Sequence, residues 1–514
     1  MAKKILIWLL FAATTGILAG ADHSVNQLAI TGDRPYRVET AVTAGNDGAK
    51  CYLLIGSRDR DGRLYQQQQS ALLAVPAGRT VLTQDYFPDA AATDLEVAVI
   101  PITGQLTIET ATAQPIDLEA LPEDPDRPEQ ECWVNVDYYD LLYYAPEIGW
   151  TDGGEAEIAA LFTELKARKV TGVLWRISLL GQVLYRSQGA STMPPGNYPE
   201  EKLDAPLKRA VDIMRQIDPL AVAVREARRS GIKILIWVTV EDDANYEGGP
   251  WWSQFVLDHP ECALLDRDGK PQWGTFCYSN PLALEYRLNQ LKELLEYHAD
   301  GIFYCFRFHG ATREALDTGE RYGYNPEFVA KYRERYGVDI LAHPAAEGRV
   351  LYLDGRRWQE IKAEAYDTLI EHASALIHAA GQELVVDITS ANHRYREGMF
   401  GAYAILNWDL WTRNHWVDHL VVGIWQQTPA EIFQQAGVLK KLLYPDQKFY
   451  YWLQLRNYGS NELYGLDSLR RQLQAAALAG SNGVALHEAF DLLQDRPYWQ
   501  QLNAARQPET TGNR

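Results

Sequence analysis

The chain has 514 residues, 46% of them hydrophobic and 23% charged, which is a globular composition and excludes wholesale disorder. Asp and Glu number 68 against 49 Lys and Arg, a net charge of -19 with no basic run, and such a chain repels phosphate backbones, so no nucleic-acid partner is expected. The length fits two or three domains, or one large α/β domain with an accessory one.

Lys3 and Lys4 precede an apolar run from Ile5 to Leu18 that ends in Ala19-Gly20-Ala21. A charged start, a short apolar middle and a small-residue exit describe a secretory signal peptide, residues 1–21, with cleavage after Ala21. The run is shorter than the roughly 20 residues of a membrane-spanning helix. No later stretch is long and apolar enough to serve, so an exported protein without a transmembrane anchor is expected. No Cys stands at the cut, which disfavours a lipoprotein.

Residues 22 to about 128 contain no Trp. Cys51–Ile55, Ala71–Val75 and Leu95–Ile100 are short apolar runs punctuated by Gly, Asp and Pro, and they predict a small β-sandwich accessory domain over 22–121. A proline-rich acidic linker follows at 122–130. The five cysteines, Cys51, Cys132, Cys262, Cys277 and Cys305, leave at least one unpaired within the chain, and no C-x-x-C occurs. A hairpin through Asp266-Arg267-Asp268-Gly269-Lys270 brings Cys262 and Cys277 together, but their pairing is left open.

From Glu131 strand-like and helix-like segments alternate. The expected strands are Cys132–Val136, Gly172–Ile177, Lys233–Val240, Gly301–Phe306, Leu384–Ile388, His419–Trp425, Phe449–Leu453 and Gly483–His487. Amphipathic stretches lie between them at Glu155–Arg168, Ala205–Arg229, Leu282–His298, Trp358–Ala380, Pro429–Leu443 and Leu466–Ala479. Continuous apolar strands separated by helices are parallel strands covered on their outer side, and eight such units over 131–508 predict a (β/α)8 TIM barrel. A doubly wound open sheet is the runner-up.

In such a barrel the chemistry sits at the C-terminal strand ends. These present Asn135 and Asp137, Arg176, Glu241 with Asp242 and Asp243, Arg307 and His309, Asp387 with Arg394, Trp425 and Gln426, Gln454 with Arg456 and Asn457, and His487 with Glu488. Carboxylates, arginines, amides and aromatics together suit a carbohydrate, whose hydroxyls need polar partners and whose C–H faces pack on rings. Trp251, Trp252, Trp273, Trp408, Trp411 and Trp416 fall after strands and are the stacking candidates; Trp175, Trp237, Trp425 and Trp452 lie within strands, where core packing is the default. No metal-binding His pattern and no G-x-S-x-G elbow occur, so neither a metal site nor an α/β-hydrolase is expected, and no cofactor is implied.

Asp300-Gly301-Ile302-Phe303-Tyr304-Cys305-Phe306-Arg307-Phe308-His309 resembles the fourth-strand segment of the glycosyl-hydrolase-like 10 family. Tyr322-Gly323-Tyr324-Asn325-Pro326, Arg335-Tyr336-Gly337-Val338-Asp339-Ile340, Leu265 to Lys270 and Asn280-Pro281 are similar too. The resemblance covers most of 131–500 and implies a secreted barrel acting on a polysaccharide or glycoside. The usual retaining pair, one Glu after strand four and one after strand seven, does not carry over, because Arg307 with His309 and Gln454 with Arg456 stand there.

Glycoside hydrolysis is therefore expected, with Glu488 and either Glu241 or Asp387 as the carboxyl pair. Arg307 and His309 would bind substrate, Asn135, Gln426 and Asn457 would read hydroxyls, and Asp137, Arg176, Asp242 and Trp425 would complete the binding set. Two alternatives stand beside it. One is a polysaccharide lyase or other enzyme on anionic sugars, using rim Arg, His and Tyr. The other is a non-catalytic glycan-binding barrel.

Overall fold

The computed structural model describes residues 25–506, apart from 32–33, 59, 61–63, 70–72, 87, 89–91, 117–129, 197, 245–251, 307–321, 343–351, 389–405, 424–428 and 458–459. The expected signal peptide, nearly all of the linker, and Arg307, His309, Trp425 and Gln426 lie outside the described residues.

The N-terminal strands form two antiparallel sheets. In one, Val25–Ala29, Asp94–Thr103, Ala49–Arg58 and Leu64–Gln69 lie in that order, with Leu73–Val75 also paired to Ala49–Arg58. In the other, Tyr36–Ala44 lies between Gly78–Tyr86 and Leu106–Pro115. Alternate residues of both sheets, among them Val38, Val42, Leu53, Ile55, Tyr86 and Val97, meet in one hydrophobic cluster. That period of two is what a sheet with one buried face requires.

The second unit is a closed barrel of eight parallel strands. They are β1 (Glu131–Asp137), β2 (Gly172–Arg176), β3 (Lys233–Thr239), β4 (Gly301–Cys305), β5 (Glu383–Ile388), β6 (His419–Val422), β7 (Lys448–Gln454) and β8 (Gly483–His487). β8 pairs with β1 to close the ring, with Leu486 opposite Val134. Each expected strand is present, with no end shifted by more than three residues.

Trp133, Leu174, Leu235, Trp237, Phe303, Val385, Val421, Tyr450, Trp452 and Ala485 form the cluster inside the ring. The residues between them face the helices: Trp175 stacks on Tyr138 at 5.2 Å and on Phe162 at 6.2 Å. Gly172 opens β2 because a Cβ there would stand 2.5 Å from the Trp133 indole that fills this end of the barrel.

The expected helix Ala205–Arg229 is two helices, Ala205–Gln216 and Pro219–Ser230. Pro219 supplies no N–H to continue the first, and Asp218 caps the second by accepting from the Leu220 and Ala221 amides. Trp408 and Trp411, expected on a loop, belong to the helix Trp408–Arg413 and are buried. Trp411 Nε1 donates to Asp367 Oδ1 at 2.6 Å, so neither ring presents a stacking face. Trp252, Trp273 and Trp416 are half-buried. All five cysteines are buried thiols. The expected hairpin between Cys262 and Cys277 is present, Ala263–Leu265 paired with Pro271–Phe276, and Cys277 N donates to Cys262 O at 2.8 Å. No helix among the described residues is long and apolar enough to cross a membrane.

Candidate active site at the C-terminal mouth of the barrel

β1 ends at Asp137, whose side chain caps the helix Tyr138–Tyr143 by accepting from the Tyr139 and Asp140 amides at 3.1 and 3.4 Å. The cap fixes the helix start and places Asp140 three residues on, back beside Asp137. β8 ends at His487, so Glu488 follows on the neighbouring strand and begins the helix Ala489–Gln494. Because β1 and β8 are adjacent, Asp137, Asp140 and Glu488 bring one carboxylate oxygen each within 4.8 Å of one another. Asp140 and Glu488 thus face each other, each acting on the other's charge.

Burial first, then the charges of Asp140, Asp137 and Asp491, push Glu488 far above the ordinary carboxylate range. Burial first, then Asp137, pushes Asp140 up to about 7. Two carboxyls this close in a buried site resist ionising together, and both upward shifts run in the sense of a proton kept on the pair. Asp137 has a different partner. Arg176 Nη1 lies 2.5 Å from Asp137 Oδ2, and its Nη2 lies 2.7 Å from Asp242 Oδ2. The three oxygens are close enough to share a hard cation. Arg176 on Asp137 sets that acid apart from the other two.

The other expected residues divide by place. Glu241, 0% exposed, accepts from the Phe276 amide at 2.9 Å and the Tyr366 hydroxyl at 2.6 Å. The groups acting most on it, Tyr366, Phe276, Arg287 and Asp243, differ from those acting most on Glu488. Asp387 accepts from the Phe306 amide at 2.6 Å, a link between the ends of β4 and β5. Asn457 accepts from the Ser460 amide at 3.4 Å within a turn. Asn135 is fully buried on the inner face of β1, and neither of its amide atoms has a partner among the described residues. Asp140 is the member that the strand-end reading missed, because it stands on the helix after β1; the spacing Asp137-x-x-Asp140 was its signal. Asp491, at the same mouth, is held by Arg456 Nε at 2.5 Å.

Burial pushes Glu241 up to about 8 from 4.5. A carboxyl raised on folding favours the folded state fully below its unfolded value, and that contribution is lost as pH rises through the folded value. Glu241→Gln is therefore expected to flatten the fall in barrel stability between about pH 4.5 and 8, which thermal melts across that range would read. A melting profile parallel to that of the unaltered protein would refute it.

No family model matches this chain and no curated protein matches it, so the glycosyl-hydrolase-like 10 resemblance rests on its sequence segments alone. Solved structures do resemble it. The glycoside hydrolase domain of PgaB (BpsB) from Bordetella bronchiseptica is 12% identical, with 74% of this chain and 100% of that chain covered and a TM-score of 0.48. The catalytic domain of β-amylase from Paenibacillus polymyxa is 9% identical over 74% of this chain and 100% of that one, at 0.46. The CBM22-1–GH10 modules of endo-1,4-β-D-xylanase 10B from Clostridium thermocellum are 11% identical over 94% and 93%, at 0.32. At these scores the likenesses carry no chemistry across to this chain.

Proposed function

We propose that this protein is a glycoside hydrolase cleaving a polysaccharide or glycoside at the C-terminal mouth of the barrel. The apposed carboxyls of Asp140 and Glu488, with oxygens within 4.8 Å of each other, carry the reading. Glycoside cleavage needs one protonated carboxyl to assist the leaving oxygen and one ionised carboxyl. Glu488, the deeper group with the greater hold on a proton, is the acid; Asp140, half-buried and nearer solvent, is the ionised partner. Asp137 keeps its place through Arg176 and the helix cap.

The retaining mechanism uses two carboxyls that face each other across a short gap, roughly 5–5.5 Å, and it is the form we assign to this pair. In the retaining sequence Asp140 attacks the anomeric carbon as Glu488 gives its proton to the departing oxygen. Glu488, now ionised, takes a proton from water, and that water cleaves the glycosyl ester and frees Asp140. The anionic-sugar alternative loses two of its four arginines: Arg176 is committed to Asp137 and Asp242, and Arg456 to Asp491, Asn461 O and Gln494.

Release of reducing ends across a panel of polysaccharides tests the reading. Turnover that retains anomeric configuration is expected, and no release from any member would remove it. We also read residues 1–21 as a signal peptide and the two N-terminal sheets as a β-sandwich accessory domain. The exported protein is then expected to begin at Asp22 on N-terminal sequencing, and a mature chain still beginning at Met1 would contradict export by cleavage.

A further inference from the structure

On the inner wall of the barrel, toward its C-terminal end, stand three uncharged polar side chains with no hydrogen-bond partner among the described residues. Asn135 lies two residues beyond Trp133 on β1, Thr239 two beyond Trp237 on β3, and Gln454 two beyond Trp452 on β7. Successive strand residues alternate faces, so all three point inward with those indoles. They are 0%, 1% and 8% exposed. Neither amide atom of Asn135 or Gln454, nor the Thr239 hydroxyl, has a hydrogen-bond partner among the described residues. Each orphaned buried group costs roughly 1–3 kcal/mol, which asks what these three on the inner wall are left open for.

Their place relative to the carboxyl pair is set by register. Gln454 is opposite His487, and the next step around the ring brings β8 to β1 and Asn135. His487, between the two amides, is half-buried, and Glu488 is the next residue. Among the described residues the guanidinium at this level is already paired. Arg176, the described guanidinium facing the barrel, is held between two carboxylates, and its π contact with Trp237 at 5.4 Å packs it against the wall.

We propose that Asn135, Thr239 and Gln454 form the base of the sugar subsite next to Asp140 and Glu488, and that this subsite takes an uncharged sugar ring through its hydroxyls, not a uronate or a sulfated sugar. The inference rests on the glycosidase reading for its position and adds the substrate class. Amide and hydroxyl groups read hydroxyls in both donor and acceptor sense, whereas an anion here would face Asp137, Asp140 and Glu488 with no uncommitted cation among the described residues.

The test uses the full chain with shape-conserving apolar replacements, Asn135→Leu, Thr239→Val and Gln454→Met. Melting temperature is read first. Then hydrolysis of xylohexaose, cellohexaose, mannohexaose, maltohexaose and chitohexaose is compared with that of hexagalacturonate. Melting temperatures unchanged or raised, with kcat/KM on the preferred neutral oligosaccharide lowered about tenfold by each replacement, are expected. Lower melting temperatures with unchanged kcat/KM would mean that the three groups serve the fold, and preference for hexagalacturonate would overturn the substrate class. If nothing is hydrolysed, the same oligosaccharides are scored by the thermal shift they produce. A shift from a neutral oligosaccharide that Asn135→Leu abolishes keeps the subsite while the hydrolase reading falls; no shift from any neutral oligosaccharide removes the subsite too.

Discussion

Replacing Glu488 with Gln is expected to lower kcat by about 10²–10⁴-fold on any substrate the protein hydrolyses, the range for losing a positioned general acid. The side chain keeps its shape and a polar group facing Asp140, so folding and substrate binding should persist. The loss is therefore expected in kcat with little change in KM. A substrate with an activated leaving group, such as a nitrophenyl glycoside, needs less protonic assistance and should recover much of the rate in the first step. A Glu488→Gln protein as active as its parent on an unactivated polysaccharide would end the assignment.

The pH dependence follows from the same two groups, which titrate as a pair. Activity needs Asp140 ionised and the pair's last proton present. With Asp140 at about 7, protonation on the acid side removes the nucleophile, so the rate falls as pH drops through about 7. With Glu488 far above the ordinary range, the alkaline fall comes later. The optimum is thus neutral to alkaline, above that of a site whose acids titrate near 4. In the residual activity of Glu488→Gln the alkaline limb should vanish. A sharp optimum near pH 4 in the unaltered protein would contradict a proton kept on the pair.

The barrel was legible because parallel strands buried on both faces are written as unbroken apolar runs, such as Leu384–Ile388 and Phe449–Leu453, with little else they can be. At the mouth, legibility stopped where the strands did. Asp137 and Arg176 are the last residues of β1 and β2, so alternation gave their direction, and Glu488 is one step past β8. Beyond Thr239 the chain turns, and parity no longer says which way a side chain goes: Asp242 reaches Arg176, while Glu241 goes to Phe276 and Tyr366. Asp140 was passed over for a related reason. Its direction comes from a helix whose start is fixed by the Asp137 cap, a local hydrogen bond that a search along strand ends does not weigh.

Removing the positive charge at position 176 is expected to be the most damaging single change to the fold of the barrel. Arg176 is 5% exposed and binds two carboxylates at 2.5 and 2.7 Å, with Asp140 also acting on it. Arg176→Met keeps much of the aliphatic stem and its packing on Trp237 but leaves Asp137 and Asp242 buried without a cation. Stripping one partner from a buried ion pair costs about 3–5 kcal/mol, because the remaining charge stays desolvated. The cost should depend on pH in a definite sense. Asp242 already stands at about 7 with Arg176 present, raised by burial, and it rises further without the guanidinium. Below the ordinary carboxylate value Asp242 is protonated in both states and its part of the Arg176→Met cost is small; as pH rises toward and past the folded value, that part approaches its full size. Urea unfolding of the barrel at pH 5 and pH 8 should show the larger loss at pH 8, and Asp242→Asn in the Arg176→Met background should restore part of it. Equal small losses at both pH values would mean that Arg176 binds nothing that matters to the fold, and with it would go the argument that its charge is unavailable to a substrate.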